Sequence, residues 1–421
     1  MLQRKSLASS KYLIALFALF LAASAARQSV AAYYFRQNLP SSLQKAIAWD
    51  SGNPVYPAAL ANLSHLYSET PDPGAVIQLY KSAVRKSPFD AGYISDLAQA
   101  HDWAGQTAEA LPLFQRAQFL FPSSPEINWK LANFYVRAGK NAEAVSPLKR
   151  AFSSQVIANH QIFALCESAR LDSSTVLDNI LPPEPNSYLS YLNFQAARRN
   201  FAAAQQVWDR LQLLHSPFEL RDTFPFLDAL IKAHEIDRAT SAWSSLAARF
   251  PALISSPASA ANLVTNANFQ TDLLDGGFDW RVYPVPGVTV TQDPATPEPS
   301  TRSLQINFDG SQNLYYGSVL QLVPVQPRTK YDFSAVSRPA SLTTDTGAFL
   351  QVSDGYDPGK IFGATEPLTG TAPWSEQKFS FETGPTTRLV TIRVVRAPSQ
   401  KFDNKIAGAF YTTRISLLPL P

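Results

Sequence analysis

An array of helical repeats followed by an antiparallel β-sandwich is the multidomain, α-then-β fold this sequence predicts, and three observations predict it. Pro54, Pro88 and Pro122 stand 34 residues apart, with small and large apolar residues recurring around them on the same spacing. Past Pro251 that rhythm stops, and short runs with two-residue alternation take its place. Between the two regimes lies Ser255-Ser256-Pro257-Ala258-Ser259-Ala260-Ala261, a segment with the composition of a linker. A chain of 421 residues exceeds one ordinary core, so several domains are expected. The expected divisions are a targeting segment over 1–35, helical repeats over 36–254, a linker over 255–261 and a β-sandwich over 262–421.

The targeting segment comes first. Arg4, Lys5 and Lys11 precede an uncharged apolar stretch from Tyr12 to Ala26 that closes on Ala23-Ser24-Ala25. A basic flank, an apolar centre and a small-residue end are the parts of a secretory signal. The stretch falls short of the ~20 residues that comfortably span a bilayer. Cleavage after Ala25 and retention as a short anchor both remain open. In either case the positive flank stays cytoplasmic and the rest is translocated, which makes the protein extracytoplasmic, in the periplasm or cell envelope. No cysteine follows the apolar stretch, so lipoprotein acylation is excluded.

The repeats come next. In the segment 91–124, Leu97 and Ala98 are followed by His101, Ala110, Phe114, Ala117 and Pro122. One period on stand Leu131, Ala132, Tyr135, Ala144, Leu148 and Ala151; one period back stand Leu63, Ser64, Tyr67, Tyr80, Ala83 and Pro88. Antiparallel helices approach closely only where small residues face each other, and large ones then fill the grooves between neighbouring pairs. Ala98 with Ala110 and Ala132 with Ala144 are the close-approach pairs, and Phe114 and Leu148 the fillers. Pro112 and Pro147 are placed early in their helices, where a missing N–H is tolerated. Two weaker units follow around Trp208 and Trp243, both read as core. Residues 156–184 are poorly periodic, an irregular repeat or a linker. The count is five to six units.

These residues resemble the tetratricopeptide repeat family at the small positions and closing prolines, and depart from it where the first helix usually carries Gly, here Ala98, Ala132 or Ser64. The resemblance implies a groove lined by the first helix of each pair, which maps onto Ser95, Gln99, Trp129 and Asn133 as a protein-binding set. Trp129 as peptide anchor and Trp129 as packing between repeats are equal alternatives. The Lys/Asn clamp that some members use for a C-terminal carboxylate is not evident.

In the β region the runs 303–308, 319–323, 330–334, 377–381, 390–394 and 410–417 alternate as strands. The order of landmarks resembles the galactose-binding-like jelly roll, in particular its carbohydrate-binding-module branch. Leu263 to Phe269 looks like its opening strand, Gly277-Phe278-Asp279-Trp280 like the element that follows, and Pro373-Trp374 through Thr383 like its late strand. Sugar recognition needs accessible aromatic faces beside polar partners, and Tyr283, Tyr315, Tyr316, Tyr356 and Trp374 are the candidates. Where the family places acidic residues around a structural calcium, this chain has Gln270 and Tyr411-Thr412, so no metal is assigned. Asp272, Asp275, Asp354 and Asp357 remain as loop alternatives.

Chemistry is hard to find. The chain has 36 Lys and Arg against 33 Asp and Glu, with no basic stripe for nucleic acid. Cys166, the single cysteine, sits in an apolar run and reads as a small buried hydrophobe. The five histidines are scattered through the helical half; His101 falls at a packing position. No hydrolase, metalloprotease or nucleotide-binding motif is present, and no cofactor is implied. The expectation is a non-catalytic scaffold. Its repeats would hold another extracytoplasmic protein, and its sandwich would hold polysaccharide or the same assembly. By resemblance the setting is bacterial envelope or exopolysaccharide export, with membrane contact only through residues 12–26 if they are retained. The alternatives are a purely structural β spacer and a carbohydrate-active enzyme.

Overall fold

A computed structural model describes residues 2–67, 72–254, 262–297, 301–402 and 404–421, and the expected linker at 255–261 lies outside them. The chain is helical to Arg249 and then forms two antiparallel five-stranded sheets. It divides into two compact units, Met1–Tyr191 and Leu192–Pro421.

In the first unit, α1 (Leu2–Arg36) runs unbroken through the apolar stretch and on to Arg36. Its last turns pack on α2 (Pro40–Trp49): Ala31 and Ala46 are fully buried beside Tyr56. There follow α3 (Val55–Tyr67), α4 (Pro73–Lys86), α5 (Ala91–Trp103), α6 (Thr107–Leu120), α7 (Pro125–Arg137) and α8 (Asn141–Ser153). Asp72, Asp90 and Ser124 cap α4, α5 and α7 by accepting backbone N–H bonds from the first turn. α5 and α7 end alike: Gly105 and Gly139 take φ of +74° and +70°, and the next N–H reaches back to His101 O at 2.9 Å and Tyr135 O at 2.8 Å. That repeated stop, 34 residues apart, is the structural form of the sequence period. Ala98, Ala110, Phe114, Leu131 and Phe134 form one buried cluster, as the close-approach reading requires. Pro112 and Pro147 prove to lie inside α6 and α8, at the sixth and seventh positions of the helices, so the early placement is corrected. The irregular stretch is helical as well: α9 (Asn159–Ser168), then the short α10 (Ser173–Thr175) leading into a π-helical turn over Val176–Ile180. α11 (Pro185–Ala197) spans the boundary between the units.

The second unit opens with α12 (Phe201–Gln212), α13 (Phe224–Lys232) and α14 (Ile236–Arg249). The strands are β1 (Arg281–Val282), β2 (Val288–Asp293), β3 (Ser303–Asp309), β4 (Tyr316–Pro324), β5 (Lys330–Ala340), β6 (Phe349–Asp354), β7 (Ile361–Ala364), β8 (Ser375–Glu382), β9 (Leu389–Arg396) and β10 (Ala407–Pro419). One sheet is ordered β1-β4-β9-β6-β7 and the other β2-β3-β10-β5-β8, a jelly-roll sandwich. All six alternating runs fall within strands. The expected opening strand does not form. Asn266 and Phe269 take φ of +49° and +52°, outside strand geometry. The segment instead follows β10 through Leu263 N to Leu417 O at 3.1 Å and Ile415 N to Ala267 O at 3.1 Å. The Gln292 side chain donates to the carbonyls of Phe269 and Thr271 at 2.7 and 2.8 Å, which ties this turn to β2. Trp280, Tyr316, Phe333 and Phe410 lie in the core between the sheets.

Candidate functional site

On α5 and α7 the four expected groove residues separate. Gln99 is exposed, and Trp129 and Asn133 are half-buried, with Asn133 Nδ2 donating to Trp129 O at 2.9 Å. Ser95 is 1% exposed and faces the packed interior, so it is not part of an accessible surface. Sequence spacing alone could not separate it from Gln99, which lies one turn away on the same helix. Between the same helices, Lys130 pairs with Asp96 at 2.6 Å and Arg137 pairs with Asp102. These pairs join equivalent surfaces of successive repeats and set the polar character of that face.

The five aromatic residues expected for sugar do not converge on one place. Tyr316 is 1% exposed and packs edge-on to Phe308, a core residue rather than a platform. Burial drives its hydroxyl pKa upward. Tyr356 leans on α13: its hydroxyl donates to Ile231 O at 2.5 Å and its ring stacks on His234 at 3.7 Å between centroids. Burial, with Asp354 nearby, pushes its pKa up to about 12. Trp374 is half-buried on the outer face of the β5–β10 sheet. There Arg338 lies between its ring and that of Tyr411, at 5.1 and 4.3 Å from the two centroids. Tyr283 and Tyr315 are open, at 52% and 58% exposure.

Those two tyrosines stand on the outer face of the other sheet. Arg281, Leu320, Arg393, Gln351 and Ala364 are cross-strand partners in one row on β1, β4, β9, β6 and β7. Their neighbours Val319, Val352, Ile392 and Val394 point inward and are fully buried, so the row faces outward. Tyr283 N bonds Ser318 O at 2.9 Å, which extends β1 by one step along β4. Gly317 keeps the surface low: an added Cβ there would stand 3.2 Å from both the Tyr315 ring and Arg393 Cδ. The result is a shallow face on which exposed aromatic rings accompany the half-buried Arg393 and Gln351, while Arg281 in the same row is tied to Asp228 of α13. Sequence reading named its aromatics and missed Arg393 and Gln351. The signal that could have found them is their outward register on strands whose alternate residues are apolar.

The loop acids are engaged locally. Asp354 Oδ1 accepts from the N–H groups of Tyr356 and Asp357, and Oδ2 accepts from Thr387 Oγ1 at 2.6 Å. Burial opposes ionisation, but these bonds and Lys360 win and hold its pKa below the ordinary carboxylate value. Among the described residues no group of three His, Cys, Asp or Glu side chains is placed to hold a metal ion. His101 is buried with Nδ1 2.6 Å from Gln106 Oε1, and Cys166 is 1% exposed.

A cavity of about 570 Å³ lies within the second unit, lined on one side by Trp243, Ala247 and Ile254 and on the other by Leu263, Val325 and Tyr331. Asp237 and Arg388 pair beside it at 2.5 Å.

No protein-family model and no curated protein sequence matches the chain. Among solved structures, MamA protein is 14% identical, with 47% of this chain covering 98% of that one at a TM-score of 0.31. A family 16 carbohydrate-binding module is 19% identical, with 37% of this chain covering 99% of it at 0.27. The enzymatically active domain of tailspike protein 4 from bacteriophage CBA120 is 14% identical at 0.29; 38% of this chain takes part, and it spans only 22% of the tailspike chain. The helical part is thus similar to tetratricopeptide repeat proteins and the sandwich to carbohydrate-binding modules, as likenesses of fold.

Proposed function

We propose that this protein is an exported, non-catalytic scaffold held at a membrane by α1, with its repeats binding another extracytoplasmic protein and its sandwich binding carbohydrate. The repeats over 36–254 and the sandwich over 262–421 are its two recognition parts, and a bacterial envelope or exopolysaccharide assembly is the setting that suits them. The observation that carries the carbohydrate reading is the open face of the β1-β4-β9-β6-β7 sheet. Tyr283 and Tyr315 are exposed there; the Tyr315 ring and Arg393 flank Gly317, and Gln351 stands across from Arg393 on β6. Aromatic rings stack on the apolar faces of sugar rings, and amide and guanidinium groups bond their hydroxyls. On the helices, Gln99, Trp129 and Asn133 offer the accessible part of the groove for a peptide.

The test is a polysaccharide binding panel on the full chain, with Tyr283→Ala/Tyr315→Ala beside Trp374→Ala. Loss of the pair removes two stacking contacts and is expected to weaken binding by about tenfold or more. Trp374→Ala is expected to leave affinity within about twofold, because the outer face of the other sheet is not used. A second reading, a β spacer, draws on Tyr316 and Tyr356 being engaged in packing. Saturable binding to no polysaccharide in the panel would favour the spacer.

A further inference from the structure

We propose that the edge of the repeat array from which α1 leaves is itself a membrane-contact surface, resting on the outer leaflet of the bilayer that α1 enters. The proposal rests on α1 being retained as an anchor. Helix α1 is antiparallel to α2, and Arg27 Nε donates to Trp49 O at 3.1 Å, so α1 emerges where α2 ends. On that same edge α3 begins, α4 ends and α5 begins, α6 ends and α7 begins, and α8 ends. The turns adjoin: Asp50 acts on the charge of Lys86, Arg116 donates to Pro88 O at 2.7 Å, and Phe89 and Phe121 line one hollow.

This edge collects the exposed apolar side chains of the unit. Outside the apolar stretch of α1, nine large hydrophobic residues of the first unit are exposed among the described residues, and six of them are here: Trp49, Val55, Phe89, Phe119, Phe121 and Val156. Phe89 and Phe119 are 78% and 82% exposed. The opposite edge turns on Ala104-Gly105-Gln106 and Ala138-Gly139-Lys140, with Leu39 and Trp103 as its large exposed side chains among the described residues. A row of aromatic residues open to water is what an interfacial surface requires and what an isolated soluble surface avoids.

The occupant follows from α1. From Leu13 to Leu21 its large apolar residues are 51–67% exposed, and they are apolar on every side of the helix rather than along one stripe, which suits lipid and not a protein groove. Tyr12–Ala26 at a rise of 1.5 Å per residue is about 22 Å long, against a hydrocarbon core of about 30 Å. A short span draws the groups that follow it toward the bilayer. Those groups are Arg27 and the α2–α3 turn, whose Trp49 to Gly52 lie along α1 beside Phe20 and Ser24. No flexible linker separates span from repeat, because α1 is one helix from Leu2 to Arg36.

The experiment uses the full chain in phosphatidylcholine vesicles, with a nitroxide label at Phe89→Cys, at Phe121→Cys or at Gln106→Cys on the opposite edge. Cys166 is buried and its pKa is pushed up to about 12, so labelling is confined to the introduced thiols. The measurement is collision with oxygen, which concentrates in lipid, against collision with a water-soluble nickel chelate. The proposal expects a several-fold higher oxygen-to-nickel ratio at 89 and 121 than at 106. Equal ratios at the three positions would overturn it, as would shielding from both reagents, which would mean self-association of the chain. A chain that does not co-float with the vesicles would instead sink the retained anchor on which the proposal rests.

Discussion

Asp279 shows how one buried group can tie the second unit to pH. Its carboxyl is 1% exposed; Oδ2 accepts from Leu274 N at 2.8 Å and Oδ1 has no partner. Burial is the main cause of its shift, with the charge of Asp275 adding to it, and together they outweigh the nearby N–H groups and Arg221 to push its pKa up to about 7. The folded value lies above that of an unfolded aspartate. The group's contribution to stability is therefore complete below about pH 4 and is lost as pH rises to about 7. Asp279→Asn keeps an acceptor for Leu274 N and cannot ionise. Denaturant unfolding should show it more stable than wild type by about 2–4 kcal/mol at pH 8, with the gap closing toward pH 4.5. A gap of the same size at both pH values would mean that packing, not ionisation, is responsible. Arg396 is a different case: fully buried, it donates to Asn313 Oδ1, Leu314 O and Asn404 O at 2.6–2.9 Å, with weaker bonds to Thr344 and Thr346. One planar donor fork thus gathers three loops, and periodicity could not have disclosed it.

Among the helices, the question is which contacts hold successive repeats together. Lys130–Asp96 joins α7 to α5, but both side chains are about a quarter exposed, and such pairs contribute about 0.2–1 kcal/mol. Ala98 is fully buried between α6 and α7, where close packing leaves no room for a larger side chain. Ala98→Leu should cost about 1–3 kcal/mol by overpacking, and Lys130→Ala less than about 1 kcal/mol. Thermal unfolding of the two variants decides it; a larger loss for Lys130→Ala would make the array electrostatic rather than steric. The same steric logic is why the helices were legible, since the small residues and the closing prolines recur every 34 positions. Six strands were legible by alternation. β1 has two residues, and β7 has four with a register shift against β6, so neither leaves a period to read. The opening segment was expected as a strand only through its resemblance to the first strand of the galactose-binding-like jelly roll. Its positive φ at Asn266 and Phe269, and its side-chain tie to Gln292, are set by tertiary contacts. The candidate site was half legible for the same reason: aromatic type can be read from sequence, but the face on which Tyr315, Tyr316 and Tyr356 end up depends on distant partners.

At the scale of the whole molecule, the sequence break at 255–261 does not coincide with the limits of the second compact unit, which begins at Leu192. Within that unit the last two helices and the sandwich are fitted to each other. Gly276 lies against Phe224 and Gly277 against Trp243, where an added Cβ would approach to 2.2 and 2.3 Å; Gly277 also has φ of +57°. Arg281 bonds Asp228 at 2.6 Å, Arg388 bonds Asp237 at 2.5 Å, and Trp243 meets Phe278 edge-on. The Gly277-Phe278-Asp279-Trp280 element that resembled a sandwich landmark is therefore, with Gly276 before it, also a socket for two helices. Cutting at the break would strip Phe278 and the Gly276-Gly277 loop of their cover. Exposing one or two such aromatic contacts costs about 2–5 kcal/mol. A fragment of residues 192–421 should unfold in one transition, and a fragment of 262–421 should melt lower by roughly 5–15 °C and bind more of a hydrophobic dye. Equal midpoints would mean that the sandwich is independent of α13 and α14, with the socket contributing little. If the shorter fragment is the weaker, carbohydrate binding belongs on the longer one, because loss of binding by 262–421 alone would reflect loss of fold rather than absence of a site.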